Sequence, residues 1–163
     1  MEKSPHASYR FNRIGFYLNG KKVNYDLAPG LSSLDFINKE MHMYGTKCSC
    51  NEGDCGACTV LLDGKAVRSC LILAIEADRH DIVTVEGISQ DKLSALQEAF
   101  IQYNSFQCGF CAPGIILAIT ELLDKNPHPS LMEVKEAMAG HLCRCTGYTP
   151  IFDAIMALTG EDK

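Results

Sequence analysis

No apolar run in this chain is long enough to cross a bilayer. The longest, L-I-L-A-I at 71–75 and I-I-L-A-I at 115–119, fall far short of the roughly 20 residues a spanning helix needs. The opening M-E-K-S-P-H-A-S-Y-R has no apolar segment behind its charges and reads as a short tail rather than a secretory signal. Positive charge is not in excess either: 15 Lys and Arg against 20 Asp and Glu leave a formal net charge of −5, mixed along the chain. A nucleic-acid binder would show a basic patch. There is no Ser/His/Asp logic, no phosphate loop, no evident acid pair, no repeat and no low-complexity tract. These absences predict a cytoplasmic folded chain with no nucleic acid and no membrane among its partners, and without a catalytic constellation of its own.

What is abundant is cysteine: nine, at 48, 50, 55, 58 and 70, then at 108, 111, 143 and 145. In a reducing compartment clustered cysteines bind metal or do redox work more often than they form structural disulfides, and an odd number cannot pair completely within one chain. The 163 residues suit one ordinary domain or two small ones, and a 47 % hydrophobic composition supplies a core.

The secondary-structure signals change across the cysteine-free gap. In the first half, F-N-R-I-G-F-Y-L runs into Asn19-Gly20 and K-K-V-N-Y-D-L, a hairpin pattern because both turn residues tolerate positive φ. Pro29-Gly30 ends it. S-S-L-D-F-I-N-K-E-M places Leu34, Ile37 and Met41 at helical spacing behind capping serines. T-V-L-L-Asp63-Gly64-K-A-V-R reads as a second hairpin and D-I-V-T-V-E at 81–86 as a further strand. The second half reads as four helices: D-K-L-S-A-L-Q-E-A-F-I with Leu93, Leu96 and Phe100 on one stripe; P-G-I-I-L-A-I-T-E-L-L-D-K, apolar all round at its start and therefore central; L-M-E-V-K-E-A-M-A behind a Ser130 cap; and I-F-D-A-I-M-A-L. The linker is expected around 86–92. The fold class is therefore α+β.

Cys50, Cys55 and Cys58 form C-x4-C-x2-C, with Cys70 further on. This is the plant-type [2Fe–2S] pattern. Two irons bridged by two sulfides need four thiolates; a tight loop can wrap three of them and the fourth must come from elsewhere. Gly53 and Gly56 suit such a loop, because they free the backbone and let N–H groups approach sulfur. A structural zinc loop is the alternative, but this half has no second short cysteine pair and no histidine at zinc spacing. The second set, Cys108-x2-Cys111 and Cys143-x-Cys145, is open on spacing alone: zinc is the default for two thiol pairs, and a [2Fe–2S] cluster fits as well. Cys48 is left over, expected as a buried or partly buried side chain with no ligand role.

Three stretches in order, K-C-S-C-N-E-G-D-C-G-A-C-T-V, Q-C-G-F-C-A-P-G and G-H-L-C-R-C-T-G-Y, resemble the small iron–sulfur subunit of the xanthine oxidase family of molybdenum hydroxylases. The resemblance runs from about Arg13 to about Leu158 and brings eight cysteines into register. It implies a plant-type ferredoxin β-grasp domain over 10–86, with a [2Fe–2S] cluster on Cys50, Cys55, Cys58 and Cys70. It also implies a four-helix domain over 87–160, with a second [2Fe–2S] cluster on Cys108, Cys111, Cys143 and Cys145. That replaces the zinc default, on the family's authority and not on spacing. The resemblance further implies a heterotrimer with a large molybdopterin-binding subunit and a medium FAD-binding subunit. Electrons would pass from molybdenum through the helical and then the β-domain cluster to FAD. Gln107 matches the glutamine that hydrogen-bonds the pterin, and Cys145 the ligand beside it. Relatives oxidise purines, other N-heteroaromatics, aldehydes, carbon monoxide or aryl-CoA thioesters; a purine or other N-heteroaromatic is the substrate class expected here. A free-standing two-cluster ferredoxin-like carrier is the alternative, disfavoured by the apolar helical half. Three positions depart from the family: Ser49 for glycine, Ala112 for threonine and His141 for asparagine. His141 is expected on the surface or at an interface, since four cysteines already complete its neighbouring set.

Overall fold

Two glycine-containing turns organise the first half of the chain. In the computed structural model, which describes residues 12–89 and 92–160, Asn19 and Gly20 both take positive φ, as do Asp63 and Gly64. Each pair closes a two-residue hairpin whose twist matches the strands it joins. The first joins β1 (Asn12–Leu18) to β2 (Lys21–Leu27), with Leu18 opposite Lys21; the second joins β3 (Thr59–Leu62) to β4 (Lys65–Arg68), with Leu62 opposite Lys65. A short β5 (Asp81–Val83) lies between the hairpins, parallel to β1 and antiparallel to β3, so the mixed sheet has the order β2-β1-β5-β3-β4.

The helix expected from S-S-L-D-F-I-N-K-E-M is one α-turn, α1 (Ser33–Asp35), running into a π-helical turn at Phe36–Glu40. Ser32 caps it as expected, its hydroxyl accepting the Asp35 N–H. The wider turn, closed by Met41 N–H to the Phe36 carbonyl, turns both Phe36 and Ile37 inward, where both are fully buried. Phe36 meets Phe16 and Tyr25 edge-on, at centroid distances of 5.6 and 5.2 Å. Of the expected stripe, Leu34 and Ile37 are buried, while Met41 only flanks the core and Phe36 enters in its place.

The strand expected at 81–86 ends at Val83, and the chain turns into α2 (Val85–Ile88). Side chains explain the early stop. The Asn19 amide oxygen takes the Thr84 N–H at 2.8 Å, and the Thr84 hydroxyl donates to Glu86 at 2.6 Å. Polar partners thus replace a further rung of the ladder.

The second half is helical: α3 (Ala95–Gln102), α4 (Ala112–Lys125), α5 (Leu131–Ala137) and α6 (Thr149–Thr159). Helix α3 begins later than the periodicity predicts, because Ser94 and Gln97 form a reciprocal capping box; Leu93 falls outside the helix and is exposed. Ser130 caps α5 through the same device with Glu133. Pro113 and Pro150 occupy first turns, where a missing N–H costs nothing. Gly114 through Ile119 are all buried, the all-round apolar turn of a central helix. Of these, Ile115, Ile116 and Ile119 form one core with Leu96, Phe100, Val134, Ile151, Ala154 and Ile155, separate from the sheet's core around Phe16, Phe36 and Val60. The tail at 1–10 and the helix start expected at Asp91 lie outside the described residues. No helix among the described residues is long and apolar enough to cross a membrane.

Candidate metal centres

The second hairpin brings the fourth cysteine of the first set to the third. Cys58 precedes β3, and Cys70 sits in the 3-10 turn Ser69–Leu71 that follows β4. Thr59 pairs with Arg68, and the Cys58 carbonyl accepts both the Ser69 N–H at 3.2 Å and the Ser69 hydroxyl at 2.6 Å. The two sulfurs then lie 3.3 Å apart. Cys50 and Cys55 come from the preceding loop, where the N–H groups of Glu52 and Cys55 both point at Cys50 Sγ from 3.4 Å. Those backbone donors pull the Cys50 thiol down to about 6. Burial, then the neighbouring Cys58, pushes Cys70 up to about 11, against a hydrogen bond from the Gly53 backbone. Gly53 and Gly56 take positive φ, as the loop reading requires.

The second set comes from two helix-flanking turns. Cys108 and Cys111 lie between α3 and α4, Cys111 at the mouth of α4; Cys143 and Cys145 lie between α5 and α6. Cys145 and Cys108 meet at 3.6 Å between sulfurs. Cys143 meets the Thr146 hydroxyl at 3.2 Å, with the Cys111 thiol close beside it. Burial followed by that thiol contact raises Cys111 to about 12. Burial also acts to raise Cys143, but the Thr146 hydroxyl and the Cys145 and Thr146 backbone outweigh it and the net shift is downward. Gln107 donates from Nε2 to the Cys145 carbonyl at 3.1 Å, so the two residues matched to the pterin lie together on an exposed face.

Sulfurs thus meet in two pairs, Cys58 with Cys70 and Cys108 with Cys145, while Cys50 lies under the amide of Cys55 and Cys143 beside Cys111. Among the described residues no three His, Cys, Asp or Glu side chains converge where a single ion would sit. Thiols that meet two by two fit the irons of a [2Fe–2S] cluster, each of which takes two thiolates. N–H groups aimed at sulfur suit a group that carries negative charge.

The two cysteine loops touch. The Leu142 N–H donates to the Cys55 carbonyl at 3.0 Å. Arg68 reaches from β4 to the Thr59 hydroxyl at 2.8 Å, to His141 Nε2 at 3.2 Å and to the Gly140 carbonyl at 3.1 Å. A cavity of about 400 Å³ opens between the loops, lined by Cys55 from the first set and all four cysteines of the second. His141 is therefore not a surface residue: it is 4 % exposed and wedged between the halves. Burial, then the Arg68 charge, lowers its pKa to about 4, so the ring is neutral and accepts from the always-protonated guanidinium. Cys48 is corrected in the opposite sense. It is exposed rather than buried, and it lines neither the cavity nor any sulfur pair described above. Sequence reasoning missed Arg68, Thr59 and Tyr148, whose hydroxyl accepts the Cys143 N–H at 2.8 Å. The G-Y after the last cysteine pair was the one available signal for Tyr148; nothing local marks the other two.

Residues 16–85 match the family of 2Fe-2S iron-sulfur cluster binding domains, and residues 84–156 match the [2Fe-2S] binding domain. The chain is 44 % identical to the nicotine 6-hydroxylase small subunit of Paenarthrobacter nicotinovorans, over 91 % of this chain and 90 % of the relative. It is 43 % identical to a probable xanthine dehydrogenase subunit of Bacillus subtilis, over 88 % and 83 %. Among solved structures, a chain of quinoline 2-oxidoreductase from Pseudomonas putida 86 superposes with a TM-score of 0.88 at 44 % identity, covering 93 % of this chain and 95 % of that one.

Proposed function

The chain belongs to the small iron–sulfur subunits of the xanthine oxidase family of molybdenum hydroxylases, and on that premise we propose which of its residues do what. It carries two [2Fe–2S] domains in an oxidoreductase complex. We assign Cys50, Cys55, Cys58 and Cys70 to the cluster of a plant-type β-grasp domain, residues 10–86. Cys108, Cys111, Cys143 and Cys145 we assign to the cluster of a four-helix domain, residues 87–160. When bound, the clusters supply one-electron transfer between a partner's molybdenum centre and FAD.

The observation that carries this reading is the pairing of the thiols, with loop amides turned toward Cys50. The protein turns backbone N–H groups toward Cys50, buries Cys58 and partly buries Cys111, and joins the two loops through Arg68 and Leu142. Gln107 and Cys145, exposed together, are assigned to the face of the large molybdopterin-binding subunit; a medium subunit carries FAD. Relatives named for nicotine, xanthine and quinoline support an N-heteroaromatic substrate, oxidised in the large partner. Nine free thiols suit a cytoplasmic setting.

The test is elemental analysis of the purified complex. About four irons and four acid-labile sulfides per copy of this chain are expected, as two [2Fe–2S] clusters. About two irons, or stoichiometric zinc, would refute the assignment.

A further inference from the structure

Tyr148 adopts a left-handed backbone, φ 71° and ψ −23°, which a residue with a side chain holds only when its surroundings over-determine it. The surroundings here are specific. Its carbonyl receives the N–H groups of Ile151 and Phe152, each at 3.0 Å, and so starts α6. Its ring stacks on Phe152 with the planes 24° apart. Its hydroxyl reaches back over the preceding loop, accepting the Cys143 N–H at 2.8 Å and donating to the His141 carbonyl at 3.2 Å. Its own N–H donates at 3.2 Å to the Thr146 hydroxyl, which in turn meets Cys143 Sγ at 3.2 Å. The anchor is firm, because Ile151, Ala154 and Ile155 of α6 are fully buried.

We propose that Tyr148 is a positioning residue for the second cysteine set: its hydroxyl ties the backbone on either side of Leu142 to the start of α6 and so fixes how Cys143 is presented to Cys111. Its hydroxyl bonds backbone and not sulfur, and acts through the amide of Cys143. Partners of this kind, one step removed from a ligand, orient the ligand and tune the metal group it holds. The proposal rests on the assignment of Cys143 as a ligand.

The experiment compares the purified complex in three forms: wild type, Tyr148→Phe and Tyr25→Phe. Tyr148→Phe keeps the ring on Phe152 and removes only the hydroxyl. Tyr25→Phe removes, from strand β2 at the sheet edge opposite β4, a hydroxyl that bonds Glu40, and serves as the control. Electron paramagnetic resonance of the dithionite-reduced proteins should show two cluster signals in wild type. In Tyr148→Phe one signal should shift or broaden while the other stays. The corresponding half of the iron should pass to a chelator about five- to tenfold faster, the equivalent of one lost hydrogen bond. Tyr25→Phe should match wild type in both respects. Unchanged signals and release rates in Tyr148→Phe would overturn the proposal, even if its melting temperature fell. So would equal disturbance of both signals, or loss of all the iron, since each marks a general structural role. A wild-type protein with a single cluster signal would instead refute the ligand assignment, and the proposal with it.

Discussion

Replacing Gly56 by alanine tests the contact between the two cysteine loops. Gly56 has φ 75°, and a Cβ placed there would lie 2.6 Å from both the Gly140 carbonyl oxygen and the His141 ring. Two penalties therefore combine. The left-handed backbone costs an alanine about 1–2 kcal/mol, and forcing an atom into a packed junction costs about 1–3 kcal/mol more. Gly64 isolates the first penalty: its φ is 76°, and a Cβ there would meet nothing within 4 Å. Gly64→Ala should accordingly destabilise by the backbone cost alone, and Gly56→Ala by both. For a chain of this length the difference corresponds to a melting temperature lower by about 2–12 °C in Gly56→Ala than in Gly64→Ala, read by circular dichroism at matched iron content. Because Gly56 lies between Cys55 and Cys58, Gly56→Ala should also lower the iron recovered, whereas Gly64→Ala should not. Equal melting temperatures and equal iron in the two variants would mean that the loops are not held against each other as described.

Cys48→Ser should leave iron and sulfide at the wild-type level, since that thiol is exposed and apart from every sulfur pair, while Cys55→Ser should lose one cluster's worth of both. Equal losses would show that the ligands of the first loop are out of register. Gln107→Ala removes the donor to the Cys145 carbonyl but no thiol. Iron content and reduction by dithionite should hold, while stopped-flow reduction by substrate slows or molybdopterin is retained less well; a variant like wild type in all of these would end the pterin assignment of Gln107.

Local chemistry made much of this legible in advance. Asn19-Gly20 and Asp63-Gly64 announce their turns because few residues tolerate positive φ, and Ser130 and Pro113 mark helix starts through hydrogen-bonding and ring geometry that depend on near neighbours alone. The eight cysteines could be sorted into two sets by spacing. What escaped was decided at long range. The strand at 81–86 stops early because Asn19, from a different hairpin, takes the Thr84 N–H. The turn at Phe36–Glu40 widens because two side chains, Phe36 and Ile37, both find room inside. A histidine beside a completed ligand set suggests no burial, yet His141 is buried because Arg68 and Thr59, on the opposite half of the chain, meet it. Tyr148 looks like the end of a motif, and its work depends on a hydroxyl that turns back toward Cys143.

The contact between the loops also imposes an order of manufacture. Translation delivers the sheet and its five cysteines first, yet one side of the Cys55 loop is walled by Gly140, His141 and Leu142, and the outer strand β4 meets Glu121, which accepts the Ala66 N–H at 2.9 Å. At about 5–20 residues per second of synthesis, the sheet waits several seconds with an open strand edge and a half-walled thiol loop. An unpaired edge invites pairing with another chain. The wall of the first loop is therefore complete only after residues 140–142 have emerged, and that loop reaches its final surroundings together with the second loop rather than ahead of it.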